Sequence, residues 1–242
     1  MELAFAHPEF EYEVRSCLKV FDRPITEEDA VQITELDLSN FNFHPEDHKT
    51  LCHFKKLTSL GINIGGTTKQ FWRNFPDITH LYLCTWGDWV DFGLFKSMKN
   101  LESLCVSGGD LSGIDYVNLD ALVELRHLQS LELHEFGSVD LSPLSHVSFL
   151  REFALRYADK VINVDTIGSM HNLDELVLDG LTLDSLDFLE LLPDSIRLEM
   201  CGIHVNNGVD VGKWKRFNRR DICEISVMDK PYEYIDLSVL ND

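Results

Sequence analysis

One phrase recurs along this chain: an apolar residue, two others, an apolar residue, one other, an apolar residue. It reads Ile33-Leu36-Leu38, Leu57-Leu60-Ile62, Ile78-Leu81-Leu83, Leu101-Leu104-Val106, Leu128-Leu131-Leu133, Leu150-Phe153-Leu155 and Leu173-Leu176-Leu178. It then degrades at Ile196-Leu198 and Ile222-Ile225-Val227. The middle residues, 36, 60, 81, 104, 131, 153, 176, 196 and 225, step by 20 to 29 positions. A unit of this size is too thin to bury its own apolar rows, so successive units must stack and share one core.

A second pattern runs between these phrases. Counting back in threes from each leading residue gives Phe92, Phe95 and Met98, then Leu119, Leu122 and Leu125, then Leu141, Leu144 and Val147, then Val164, Ile167 and Met170. Leu183, Leu186, Leu189 and Leu192 repeat the row one position out of register. A step of three fits a 3-10 segment, whereas the phrase itself steps by two like a strand. Together they predict an α/β fold, a leucine-rich-repeat solenoid of about nine repeats. The expected arc is right-handed, with a parallel β-sheet on the concave face and 3-10 or short helical segments on the convex face. The expected organisation is one continuous domain: a helical amino-terminal cap over 1–32, repeats over 33–205, and an irregular last repeat with a carboxy-terminal cap over 206–242.

The ends read as caps. Pro8 suits a first helical turn, with Phe10, Val14, Cys17 and Leu18 on one face. Thr26 followed by Asp29 reads as a helix start with a capping-box-like partner. The run Ile25-Thr26-Glu27-Glu28-Asp29, then Ile33-Thr34-Glu35-Leu36-Asp37-Leu38-Ser39-Asn40, resembles the cap and first repeat of bacterial internalin-like leucine-rich-repeat proteins of the 22-residue repeat class. Leu141-Ser142-Pro143-Leu144 is similar to their convex segment. The resemblance spans residues 7 to 205 and implies a protein-binding role. It also implies Asn three positions beyond the last strand leucine, where this chain instead has Phe41, Gly65, Trp86, Gly109, Phe136, Ala158, Leu181, Cys201 and Lys230. Without an Asn ladder, the turn amides must find partners in neighbouring backbone or water.

Residues flanking the inward leucines should line the concave wall in three rows. The first is Glu35, Ser59, His80, Ser103, Ser130, Glu152, Glu175, Ser195 and Glu224; the second is Asp37, Gly61, Tyr82, Cys105, Glu132, Ala154, Val177, Arg197 and Ser226. The third is Ser39, Asn63, Cys84, Ser107, His134, Arg156, Asp179, Glu199 and Met228. Acids outnumber arginines there by eight to two. The net charge of −20 repels phosphate backbones and anionic lipid, so direct nucleic-acid and membrane binding are not expected. A protein partner with a basic face is. The expected binding residues are Asp37, Tyr82, Trp86, Glu132, His134, Arg156, Asp179, Arg197 and Glu199. Trp86, Trp89, Phe92, Phe41 and Phe136 sit at strand exits, either as rim anchors or as core replacing the Asn ladder. Residues 213–220 hold five of the 21 basic residues, read as a capping helix with Trp214 and Phe217 turned inward, as a docking patch, or as a counterweight to the acids.

Catalytic signatures are sparse. His44, His48, Cys52 and His53 have zinc-like proximity but no second cluster, and a polar, solvated loop is expected there. Cys84, Cys105 and His134 come within reach on the wall as a thiol–imidazole arrangement, which half-buried strand cysteines also produce by chance. Gly65-Gly66 and Gly108-Gly109 follow strands and read as turns, not phosphate loops. The expectation is a non-enzymatic protein-interaction module without cofactor or metal, acting as a monomer. The alternative is an acidic inhibitor or immunity-type protein that masks a basic toxin, nuclease or nucleic-acid-binding surface. Six scattered cysteines, no CxxC pair and no secretory-type amino terminus point to the cytoplasm.

Overall fold

The computed structural model describes residues 1–41, 45–63, 67–85, 89–108, 116–206, 210–227 and 234–241. Nine strands form one sheet in chain order: Glu35–Leu38, Ser59–Asn63, His80–Cys84, Ser103–Ser107, Ser130–Asp140, Glu152–Ile162, Glu175–Asp179, Arg197–Cys201 and Asn218–Ile222. Every pairing is parallel, and the inward leucines stand side by side from Leu36↔Leu60 through Leu81, Leu104, Leu131, Phe153 and Leu176 to Leu198. The predicted solenoid is present.

The convex rows are as read. The 3-10 segments Phe92–Phe95, Leu119–Glu124, Ser142–His146, Val164–Ser169, Asp187–Leu191 and Val211–Arg216 return each coil. Their three-step rows are buried, from Phe92, Phe95 and Met98 to Leu186, Leu189 and Leu192. A residue every third position faces the same way on a 3-10 helix, which is why the step of three marks it.

Two register expectations need correction. The eighth strand pairs Leu198, not Ile196, with Leu176. Counted back in threes from Leu198, Leu192, Leu189 and Leu186 fall in register; Ile196 is a buried leading residue displaced by one position. The ninth strand is Asn218–Ile222, joined to the eighth through a register shift after Leu198. Ile225–Val227 belongs instead to a second parallel sheet with Thr182–Leu183 and Ile203–Val205. Arg197 therefore stands in the first concave row and Glu199 in the second, beside Glu175 and Val177.

That second sheet depends on a corner not legible in the residue types. Glu135, Tyr157, Gly180, Gly202 and Glu224 all have φ between +54° and +62°, each two positions after the last inward residue of its strand. A left-handed residue there swings the chain out of the concave sheet at the same point in five successive coils. Beyond it, the fifth and sixth strands continue pairing from Phe136↔Ala158 to Asp140↔Ile162. Gly180 is bound to be glycine twice over: its φ is +60°, and a Cβ would lie 2.4 Å from the Tyr157 ring.

The missing Asn ladder is replaced by backbone. Gly180 N–H donates to Cys201 O (2.9 Å), His204 N–H to Leu181 O (2.8 Å), Gly108 N–H to His134 O (3.0 Å) and Thr85 N–H to Ser107 O (3.0 Å). The side chains at the ladder position, Phe136, Ala158, Leu181 and, in corrected register, Ile203, are buried apolar fill. Side-chain ties also join neighbouring coils: Arg197 to Glu175, Lys213 to Glu190, Arg216 to Asp194 (2.5 Å) and Asn163 to Asp140 (2.8 Å).

The amino-terminal cap is α1, Pro8–Leu18, with Pro8 in its first turn, Phe10 and Val14 buried, and Lys19 ending it in the left-handed conformation. Cys17, expected on the apolar face, is exposed. The second helix, α2, is Glu27–Ala30; Asp29 accepts from Thr26 N–H at 2.8 Å and from both terminal nitrogens of Arg23 at 2.7 Å. The Arg23 guanidinium and the Thr26 amide hold the Asp29 carboxyl far below the usual carboxylate range. Two further convex helices follow, α3 at Pro45–Leu51 and α4 at Lys69–Trp72.

Candidate functional site

The concave wall falls into two parts. Over the first four strands, α1 overhangs the sheet and closes a groove of about 580 Å³. Glu13 and Cys17 come from the helix; Glu35, Asp37, Ser59, His80 and Tyr82 come from the strands. Among the described residues, no Lys or Arg lines this groove. Its width follows from small residues: a Cβ at Gly61 would stand 2.3 Å from Asp37 Oδ1. Asp37 Oδ1 is oriented by the Ser39 hydroxyl (2.7 Å) and amide (3.1 Å). Tyr82 is part-exposed; its hydroxyl bonds Ser107, and burial, with Cys84 and Cys105 nearby, raises its pKa.

Over strands five to eight the wall is charged but internally paired. Arg156 lies 3.6 Å from Asp179 and 3.9 Å from Glu199, and Arg197 bonds Glu175. His134 Nε2 is 3.1 Å from Glu132 Oε2, and that bond, followed by the charges of His134 and Arg156, holds the Glu132 carboxyl below its ordinary value. Exposed Tyr157 beside this network bonds Asp179, which raises its pKa. Register places Glu132 directly beside Cys105 and His134 beside both Ser107 and Arg156.

The expected binding residues thus form two groups. Asp37 and Tyr82 share the groove; Glu132, His134, Arg156, Asp179, Arg197 and Glu199 lie along the paired surface. Trp86 lies outside the described residues. Two rim candidates, Phe92 and Phe136, are fully buried core, while Phe41 is half-buried and stacks on His7 at 6.0 Å. Glu13 and Cys17 of the groove were missed: nothing in a cap helix read by itself says which strands its polar face overhangs.

The remaining candidates resolve physically. Burial, with the Glu132 charge beside it, pushes the Cys105 thiol up to about 12, so it is a neutral thiol at physiological pH and a poor nucleophile. Within the expected polar loop at 44–53, Pro45–Leu51 is the helix α3: His48 packs 4.9 Å from the Phe71 ring, while beyond the helix Cys52 is half-buried and His53 pairs with Glu27 at 3.2 Å; His44 lies outside the described residues. The basic stretch 213–220 begins in the 3-10 segment Val211–Arg216 and runs on into the ninth strand. Trp214 and Phe217 are buried, Lys213 and Arg216 bond acids of the preceding coil, and residues from Asn218 enter the sheet. Among the described residues, no helix is long and apolar enough to cross a membrane.

No protein-family model matches the chain, and no curated protein matches it by sequence. Among solved structures, internalin C2 of Listeria monocytogenes aligns with a TM-score of 0.68 at 15% identity, over 92% of this chain and 94% of that one. The TLR13–ssRNA13 complex aligns at 0.61 and 18%, over 89% and 35%. The plant peptide hormone receptor RGFR1, in complex with RGF2, aligns at 0.54 and 16%, over 84% and 34%. At these identities the likeness is one of fold: this chain has the architecture of an internalin-like leucine-rich-repeat solenoid.

Proposed function

We propose that the chain is a non-enzymatic protein-interaction module, and that its amino-terminal groove receives basic side chains of a protein ligand. The observation that carries this is the groove itself: carboxylates of Glu13, Glu35 and Asp37 around Tyr82, with no Lys or Arg lining it among the described residues. The arginines of the wall are spent on Asp179, Glu199 and Glu175 in the later coils. A basic face is steered in by the overall charge and then anchored against the Tyr82 ring, an amphipathic side chain of the kind that dominates interfaces. The RGFR1–RGF2 complex is a peptide-bound example of the fold. The TLR13 complex is an RNA-bound one, but a net charge of −20 disfavours a polyanion here. Six free cysteines support a reducing, cytoplasmic setting, and we infer a monomer.

The test uses a fluorescent hexa-arginine peptide as probe. The variant E13Q/E35Q/D37N should weaken binding about tenfold or more at low salt, and the wild-type affinity should fall steeply as salt rises. Equal weakening by neutralising three convex carboxylates, Asp120, Asp165 and Asp187, would overturn the groove as the site. The same wall supports a narrower reading, in which the masked face is a nuclease or nucleic-acid-binding surface. For a captured partner, competition by DNA separates the two.

A further inference from the structure

We propose that Cys105, Glu132 and His134 form a binding site for a zinc-class divalent metal ion on the concave wall, at the edge of the groove that Cys105 also lines; the inference does not rest on the partner reading above. The register brings them together. Cys105 and Glu132 are direct neighbours on adjacent parallel strands, and His134 follows Glu132 by two residues on the same face. One donor atom from each lies within 4.8 Å of the other two, and His134 Nε2 is already 3.1 Å from Glu132 Oε2. Zinc bonds of about 2.3 Å to sulfur and about 2.0 Å to nitrogen or oxygen place tetrahedral ligands roughly 3.3–3.7 Å apart. Small side-chain rotations therefore suffice to close the set.

The donor chemistry selects the ion. A thiolate, an imidazole and a carboxylate suit zinc or cobalt(II), whereas magnesium and calcium require oxygen. On binding, the Cys105 thiol gives up its proton to solvent, and the resulting thiolate with the Glu132 carboxylate carries two negative charges that one dication neutralises. All three donors sit on strands inside the sheet rather than on a loop, so their backbone is held before the ion arrives. Arg156, beside His134 in the sheet, is a competing cation: it lies 3.6 Å from Asp179 and 3.9 Å from Glu199, and its charge also reaches Cys105 and Glu132, so the bound ion takes over part of its role there. All three residues are part-exposed, so a fourth coordination position opens onto the wall.

The experiment is a titration of chelator-treated protein with cobalt(II), followed by displacement with zinc. The site requires one cobalt per chain with a thiolate-to-metal charge-transfer absorption that zinc abolishes. C105S should remove that absorption, H134A and E132Q should weaken binding about tenfold or more, and C84S and C52S should leave it unchanged. Far-UV circular dichroism of each variant confirms the fold; should C105S misfold, zinc must protect Cys105 of the wild-type chain from alkylation, and alkylation of Cys105 undiminished by zinc would overturn the site. Cobalt bound without a thiolate band, or a band that survives C105S, would overturn the site; the first result is what scattered surface carboxylates alone produce.

Discussion

The first four coils and the last five solve the same stacking problem with different materials. In the amino-terminal part the convex wall includes true α-helices, α3 and α4, and the core is built from rings. Phe10 meets Phe54 at 5.9 Å, Phe71 meets Trp72 at 5.0 Å and Trp72 meets Phe95 at 5.0 Å. Every ring–ring contact among the described residues lies before residue 96. In the later coils Phe136, Phe153 and Phe188 are buried without such contacts, and the repeated device is the left-handed corner that feeds a second parallel sheet. Side-chain volume holds the first region; backbone geometry holds the second. The contrast extends to the wall, where the early coils form a groove lined by acids and, among the described residues, by no Lys or Arg, while the later ones pair their charges internally.

This difference can be broken at either end. Trp72→Ala should cost about 3–5 kcal/mol, the largest single effect, because it removes a fully buried ring that contacts Phe71 and Phe95. Chemical denaturation measures it, and a double-mutant cycle with Phe95→Leu should return about 0.5–1.5 kcal/mol of coupling. No coupling would mean that the rings merely fill space. In the later coils, Gly180→Ala should cost about 1–3 kcal/mol although it adds only a methyl group, since it strains a positive φ and pushes on Tyr157. A loss below about 0.5 kcal/mol would show the corner to be pliable.

The cap supplies a pH-dependent version. Asp29→Asn should cost about 1–2 kcal/mol near neutrality by removing charged bonds to Arg23 and Thr26. The folded carboxyl is depressed below its unfolded value, so its contribution is present above about pH 4 and declines as pH falls through the folded range. Melting curves of variant and wild type should therefore converge in acid; a constant gap would locate the effect elsewhere. The smallest expected effect is Glu224→Gly. A left-handed glutamate gives way to the residue suited to that φ, so stability should hold or rise by up to about 1 kcal/mol.

The stacking was legible because leucines write it twice, once in steps of two and once in steps of three. The concave rows followed for seven strands, and with them the approach of Cys105 to His134. Legibility failed where one position shifted. Ile196 mimics a middle leucine because its leading position moved by one, and the bulge after Leu198 hides the ninth strand behind polar residues 218–221. The corners were invisible because Glu135, Tyr157, Gly180, Gly202 and Glu224 share a dihedral angle and no chemistry. The groove was half visible: Asp37 and Tyr82 lie in the repeat, whereas Glu13 and Cys17 reach it through tertiary placement of α1.

The ties between coils have a mechanical consequence. Arg197 reaches Glu175 and Asn206 reaches Asp184 across 22 residues in each case, one coil away. Gripped at its two termini and stretched, such a molecule has few long-range struts to share the load, so it should yield as a ratchet, one coil per rupture. Each event would free some 22 residues, about 75 Å of extended chain, and a force trace would carry the repeat length as its spacing.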